Sequence, residues 1–159
     1  MKNNLVFIHG LESTAQGTKG QYFQEHFPEM IIENFTGSFV ERMNKLNQLL
    51  SLRDSLVIVG SSYGGTMAVQ YAAENEKNVK KLILLAPALN LPELKIPENK
   101  VLKMPVIIYH GAKDDVVNPH AVKDIAHKIF FNLEYNVVDD DHSLHVTFPL
   151  LDWNHLLEI

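Results

Sequence analysis

Four short apolar runs punctuate the chain: Leu5-Val6-Phe7-Ile8, Leu56-Val57-Ile58-Val59, Leu82-Ile83-Leu84-Leu85 and Val106-Ile107-Ile108-Tyr109. None of them alternates with polar residues. A strand wet on one face shows that alternation, so unbroken β-branched tetrads predict strands covered on both faces, as in a parallel sheet. Met30-Ile31-Ile32 and Tyr135-Asn136-Val137-Val138 are weaker runs, expected to flank the four.

Between the runs, apolar positions return at helical spacing. Ser38 with Glu41 fits a capping box, followed by Phe39, Met43, Leu46 and Leu50 on one face. Thr18 with Gln21 fits the same box. Met67, Ala68, Tyr71 and Ala72 mark a helix after the second tetrad. Asn118-Pro119 reads as an N-cap and the proline favoured at the first helical position, ahead of Val122, Ile125, Ala126 and Ile129. Pro149 is expected to open a last helix carrying Leu150, Trp153 and Leu157.

Strands alternating with helices predict an α/β fold. The expected form is a single domain over residues 1–159, a doubly wound, mostly parallel sheet of about six strands with helices on both faces. Residues 88–103 break the rhythm, since they hold Pro92 and Pro97 and keep no helical period. They predict an irregular crossover over one end of the sheet.

Composition narrows the function. With 14 basic and 19 acidic side chains, a net charge of −5 and no basic stripe, the chain lacks the footprint that neutralises nucleic-acid phosphates or an acidic membrane surface. It has no cysteine, which excludes disulfides, thiolate catalysis and Cys-ligated metals. No apolar stretch approaches the ~20 residues of a membrane span, and Met1–Gly10 is too short in apolar core for a secretory signal. A cytoplasmic protein is expected, as a monomer or a small homo-oligomer, with no cofactor and no metal.

The chemistry centres on Gly60-Ser61-Ser62-Tyr63-Gly64, between a predicted strand and a predicted helix. A turn that sharp strains the backbone of its central residue and leaves no room for side chains two positions either way, hence the two glycines. Ser61 fits less well, because Val59 lies two before it. The plain alternative is a glycine-rich turn that binds phosphate or nothing. A serine nucleophile needs a base and an orienting acid. Asp114 falls in the turn after the fifth strand and His142 after the sixth, both at the carboxyl end of the sheet that Ser62 occupies.

These stretches resemble the motifs of the α/β-hydrolase superfamily. His110-Gly111-x-x-Asp114-x-x-Val117 is similar to its acid loop, Asp141-His142-Ser143 to its histidine loop, and His9-Gly10-Leu11 to its oxyanion loop. The resemblance implies a small lidless serine esterase with Ser62 as nucleophile, His142 as general base then acid, and Asp114 as its partner. It implies an oxyanion hole made by the backbone amides of Leu11 and Tyr63. The implied partner is a small-molecule ester with a short acyl chain. A thioesterase, lactonase or peptidase would use the same residues, and a ligand-binding module would keep only the pocket.

The remaining polar residues read more plainly. His9 and His110 each end a strand before a glycine and are expected to brace loops. His145 competes with His142 but lies further from its strand. Asp139-Asp140-Asp141-His142-x-x-His145 offers hard carboxylate and borderline imidazole metal ligands, yet consecutive aspartates diverge, and the run reads as a solvated acidic loop.

Overall fold

In the computed structural model, which describes residues 4–158, all four apolar tetrads are strands of one sheet. They lie in β1 (Asn4–Ile8), β3 (Leu56–Ser61), β4 (Val79–Leu85) and β5 (Leu102–Gly111), with the weaker runs supplying β2 (Ile31–Ile32) and β6 (Phe130–Val138). The order is β2-β1-β3-β4-β5-β6, and each neighbouring pair is parallel. From β1 the chain adds β2 on one side and then β3 on the other. The strand order therefore reverses between β1 and β3, opening a crevice at their carboxyl ends.

Among the described residues five helices cover the sheet: α1 (Thr18–His26), α2 (Phe39–Leu50), α3 (Tyr63–Glu74), α4 (Pro119–Ile129) and α5 (Trp153–Leu156). Period-2 alternation splits each central strand between two cores. On one face Val6, Ile8, Leu56, Ile58, Leu82 and Leu84 pack against α2, α3 and α4. On the other, Phe7, Val57, Val59, Ile83 and Leu85 meet Phe23 of α1 and Trp153 of α5. Burial on both sides is why these tetrads need no polar residue. Among the described residues, no helix is long and apolar enough to cross a membrane.

Helix starts follow the capping signals with two exceptions. The Ser38 hydroxyl accepts from the Glu41 amide (3.2 Å), and the Asn118 side chain accepts from the amides of His120 and Ala121. Thr18, however, is the first helical residue and not the cap. The cap is Gly17, already turned by a bond from its amide to the Thr14 carbonyl, and the Gln21 side chain donates to the Gln16 carbonyl. Nor does Pro149 open a continuous helix. It sits in a single 3-10 turn, Phe148–Leu150; Leu151 is extended, and Asp152 caps a fresh turn by accepting from the His155 amide.

The crossover between β4 and β5 is irregular, though β5 claims its last two residues, Leu102 and Lys103. It is fixed to α3 by Gln70, whose side chain accepts from the Lys95 amide (2.8 Å) and donates to the Lys95 carbonyl (3.3 Å).

Candidate active site

Ser62 joins β3 to α3 with φ 54° and ψ −114°, a backbone region that L residues rarely occupy. Such strain persists only where neighbours enforce it. Here the Ser62 amide donates to the Leu85 carbonyl, and its own carbonyl accepts from the amides of Gly65, Thr66 and Ala88. A Cβ on Gly60 would meet the Gly64 carbonyl oxygen at 2.6 Å, and one on Gly64 would overlap the carbonyls of Ile8 and His9. Both glycines are therefore steric necessities of this turn. Ser62 stands at the amino end of α3, the positive end of the helix dipole.

The β5–α4 turn and the loop after β6 bring Asp114 and His142 to the same place. The Ser62 hydroxyl lies 3.0 Å from His142 Nε2, and His142 Nδ1 lies 2.7 Å from Asp114 Oδ2. With Nδ1–H donated to the carboxylate, Nε2 is free to accept the serine proton. Asp114 is buried. Burial alone would raise its carboxyl; the Val117 amide, the His142 ring and the Val116 amide outweigh that and hold it below the usual carboxylate range. His145 is not part of this line, because it points outward to Asp141 (2.8 Å) and is largely exposed.

Two histidines brace the site as loop supports. His9 donates from Nδ1 to the Gly10 carbonyl (2.7 Å) and accepts the Phe35 amide at Nε2 (2.9 Å). Burial pushes its ring down, Arg42 and Lys45 push further, and the Gly10 carbonyl opposes them. A neutral ring suits both bonds. His110 is fully buried and touches Asp114 as well, with Nε2 at 3.0 Å from Oδ2. That second imidazole on the acid did not emerge from the sequence. Its one trace there is a polar residue ending an apolar strand.

The acidic run is not uniformly solvated. Asp139 is exposed and pairs with Lys113, but Asp140 is 4% exposed. Its Oδ1 accepts the Asp141 amide, and its Oδ2 accepts those of Val146 (3.1 Å) and Thr147 (2.7 Å). Burial alone would raise this carboxyl; bonds from the Thr147 and Asp141 amides and the Thr147 hydroxyl, together with His145, hold it at about 2. Asp140 thus knots the loop that carries His142. Asp140, Asp141 and His145 bring their ligand atoms within 4.8 Å of one another, but the Asp140 oxygens already serve these amides. From α1, Lys19 clamps the same loop by donating to the Ser143 carbonyl (2.7 Å).

A cavity of about 880 Å³ opens over the carboxyl ends of the strands. Ser62 and His142 lie in its wall with Leu11, Tyr63, Leu91 and Tyr22. The Gly10 backbone passes close to the serine, since a Cβ there would sit 3.5 Å from Ser62 Cβ. Leu11 and Tyr63, whose backbone amides are the expected oxyanion donors, both line this cavity with Ser62. The Tyr63 side chain is steadied by Glu93 (3.2 Å) and by Arg42, buried over its ring at 5.3 Å.

The family described as alpha/beta hydrolase fold matches residues 13–102. No curated protein matches the chain by sequence. Solved structures do so by shape. Alpha/beta hydrolase domain-containing protein 10 from mouse is 17% identical with a TM-score of 0.69, covering 91% of this chain and 84% of its own. Est1E from Butyrivibrio proteoclasticus, with ferulic acid bound, is 17% identical with a TM-score of 0.72, covering 89% and 81%. An alpha-beta serine hydrolase homologue from Coxiella burnetii is 19% identical with a TM-score of 0.71, covering 98% and 84%.

Proposed function

Because the chain belongs to the α/β-hydrolase fold family, we propose that it is a serine hydrolase that cleaves small carboxylic esters through an acyl-enzyme. The observation that carries this reading is the unbroken line Ser62 Oγ, His142 Nε2, His142 Nδ1, Asp114 Oδ2 on the wall of the cavity.

In this mechanism His142 Nε2 takes the Ser62 proton as Oγ bonds to the ester carbonyl carbon. Asp114 holds the ring in the Nδ1–H tautomer and stabilises the imidazolium. The carbonyl oxygen becomes an oxyanion, met by the amides of Leu11 and Tyr63, each such donor supplying about 3–4 kcal/mol in other enzymes. Collapse expels the alcohol, protonated by His142. Water then repeats the cycle on the acyl-serine, returning the acid and the free Ser62.

The test is covalent labelling by a fluorophosphonate, read by mass spectrometry, beside turnover of p-nitrophenyl acetate. Wild type and Ser61→Ala should label and turn over, and Ser62→Ala should do neither. A dead Ser61→Ala with an active Ser62→Ala would move the nucleophile by one residue. An unlabelled wild type would leave a ligand-binding module.

A further inference from the structure

We propose that His110 is a positioning residue for this site, its Nε2–H drawing charge from Asp114 Oδ2 and so setting how strongly the acid favours the protonated form of His142. The inference rests on the hydrolase reading of Ser62, His142 and Asp114.

Four N–H groups converge on one buried carboxylate, two on each oxygen. Oδ1 accepts the Val116 and Val117 amides, at 2.9 and 2.8 Å. Oδ2 accepts two imidazoles, His142 Nδ1 at 2.7 Å and His110 Nε2 at 3.0 Å. The oxygen that orients the base is thus shared with a second ring from the end of β5.

The protonation of that ring follows from its neighbours. Nε2 faces only acceptors, Asp114 Oδ2 and the Val117 carbonyl (3.1 Å), so it carries hydrogen. Nδ1 faces the Tyr135 hydroxyl at 3.3 Å, which has a shorter acceptor in the Pro119 carbonyl at 2.7 Å. Burial and the charge of His142 push His110 down, outweighing the Val117 carbonyl and Asp114. Burial, with Asp114 nearby, pushes the Tyr135 phenol up to about 12, so it stays neutral. His110 is then a neutral donor, fixed in one tautomer.

A carboxylate oxygen divided between two donors presents less charge to each. If the His110 donor is removed, the whole of Oδ2 faces His142, the imidazolium is favoured, and neutral base appears only at higher pH. The other groups around His142 are Ser62 at the turn between β3 and α3, Lys19 donating to its loop from α1, and Asp140, Asp141 and His145 of its own loop. None of them is altered by a change at His110. A ring that only filled space would affect stability or the plateau rate and leave the pH midpoint in place.

Three full-length variants separate these roles. His110→Leu has no donor. His110→Asn carries its amide near the Nδ1 position, beside Tyr135, and leaves Oδ2 without one. His110→Gln can place its amide nitrogen where Nε2 stands. The measurements are the NMR titration of the His142 ring and the pH profile of kcat/KM on p-nitrophenyl acetate, with thermal unfolding to confirm the fold. Leu and Asn should raise both midpoints by about half a unit or more, whereas Gln stays near wild type. Unmoved midpoints in Leu and Asn overturn the proposal, as does a Gln midpoint displaced as far as theirs. If Leu does not fold, Asn against Gln decides. The NMR midpoint needs no turnover, so a protein that fails to label or hydrolyse would refute the hydrolase reading while His110 is still judged by the ring.

Discussion

At Asp114 the carboxylate serves two ends: it orients His142, and its bonds to Val116 and Val117 close the turn it sits in. Asp114→Asn keeps the shape but offers an amide where Nδ1–H needs an acceptor. We expect kcat/KM to fall by about 10⁴, as the equivalent change does in a serine protease. Asp115→Asn, on an exposed neighbour, should change it little; equal losses would place the acid elsewhere. Asp140 acts on stability instead. Its folded pKa of about 2 lies below the ordinary ~3.9, so its contribution is fully present above the latter and disappears as pH falls through the former. Asp140→Asn should cost about 1–3 kcal/mol at pH 7, from charged hydrogen bonds weakened in a buried loop. In urea titrations the gap from wild type should narrow between about pH 4 and pH 2. A gap independent of pH would mean that the ionised form is not what the loop requires.

Among the elements, the acid loop and the histidine loop meet at Gly111. A Cβ there would collide with the carbonyl oxygens of Asp140 and Asp141, and the Lys113 amide donates to that same Asp140 carbonyl (3.0 Å). Gly111→Ala should wedge the loops apart and lower kcat/KM at least tenfold, for a stability loss of about 1–3 kcal/mol. Activity intact despite that loss would show that the loops part without disturbing the Asp114–His142 bond. The strands were legible because burial on both faces leaves uninterrupted tetrads, and the turn at Ser62 because Gly60 and Gly64 answer a local steric demand. Asp140 was hidden, since three identical neighbours give no sign of which one a returning chain buries; the amides of Val146 and Thr147 decide it. His110 was legible as a loop support but not as a partner of Asp114, because that contact depends on how a turn closes. The last helix was overextended because Pro149 suits a 3-10 start as well, and Asp152 restarts the chain.

For the molecule as a whole, the cavity lies where the strand order reverses, between α1 and a crossover that adds Ala88, Asn90 and Leu91 to the wall. On the proposed ester reading, a crevice open to solvent over the strand ends leaves much of a long acyl chain uncovered. Methylenes beyond it stay in water and add nothing to transition-state binding, although each one buried would add ~0.8 kcal/mol. Across p-nitrophenyl esters of growing acyl length, kcat/KM should therefore level off or fall after the short chains. A steady rise would show that something further encloses the acyl group. The all-parallel sheet has one more consequence, which concerns the order of events in time. Among the described residues no strand pairs through a hairpin; each joins by a crossover, and Ser62 meets His142 across 80 positions. Pairings so remote in sequence form slowly. On the proposed assignment, a chain lacking only β6 and the loop behind it would hold Ser62 and Asp114 but not His142. On that assignment the topology withholds hydrolysis until the last strand has paired, and the first turnover would report that β6 and the loop behind it are in place.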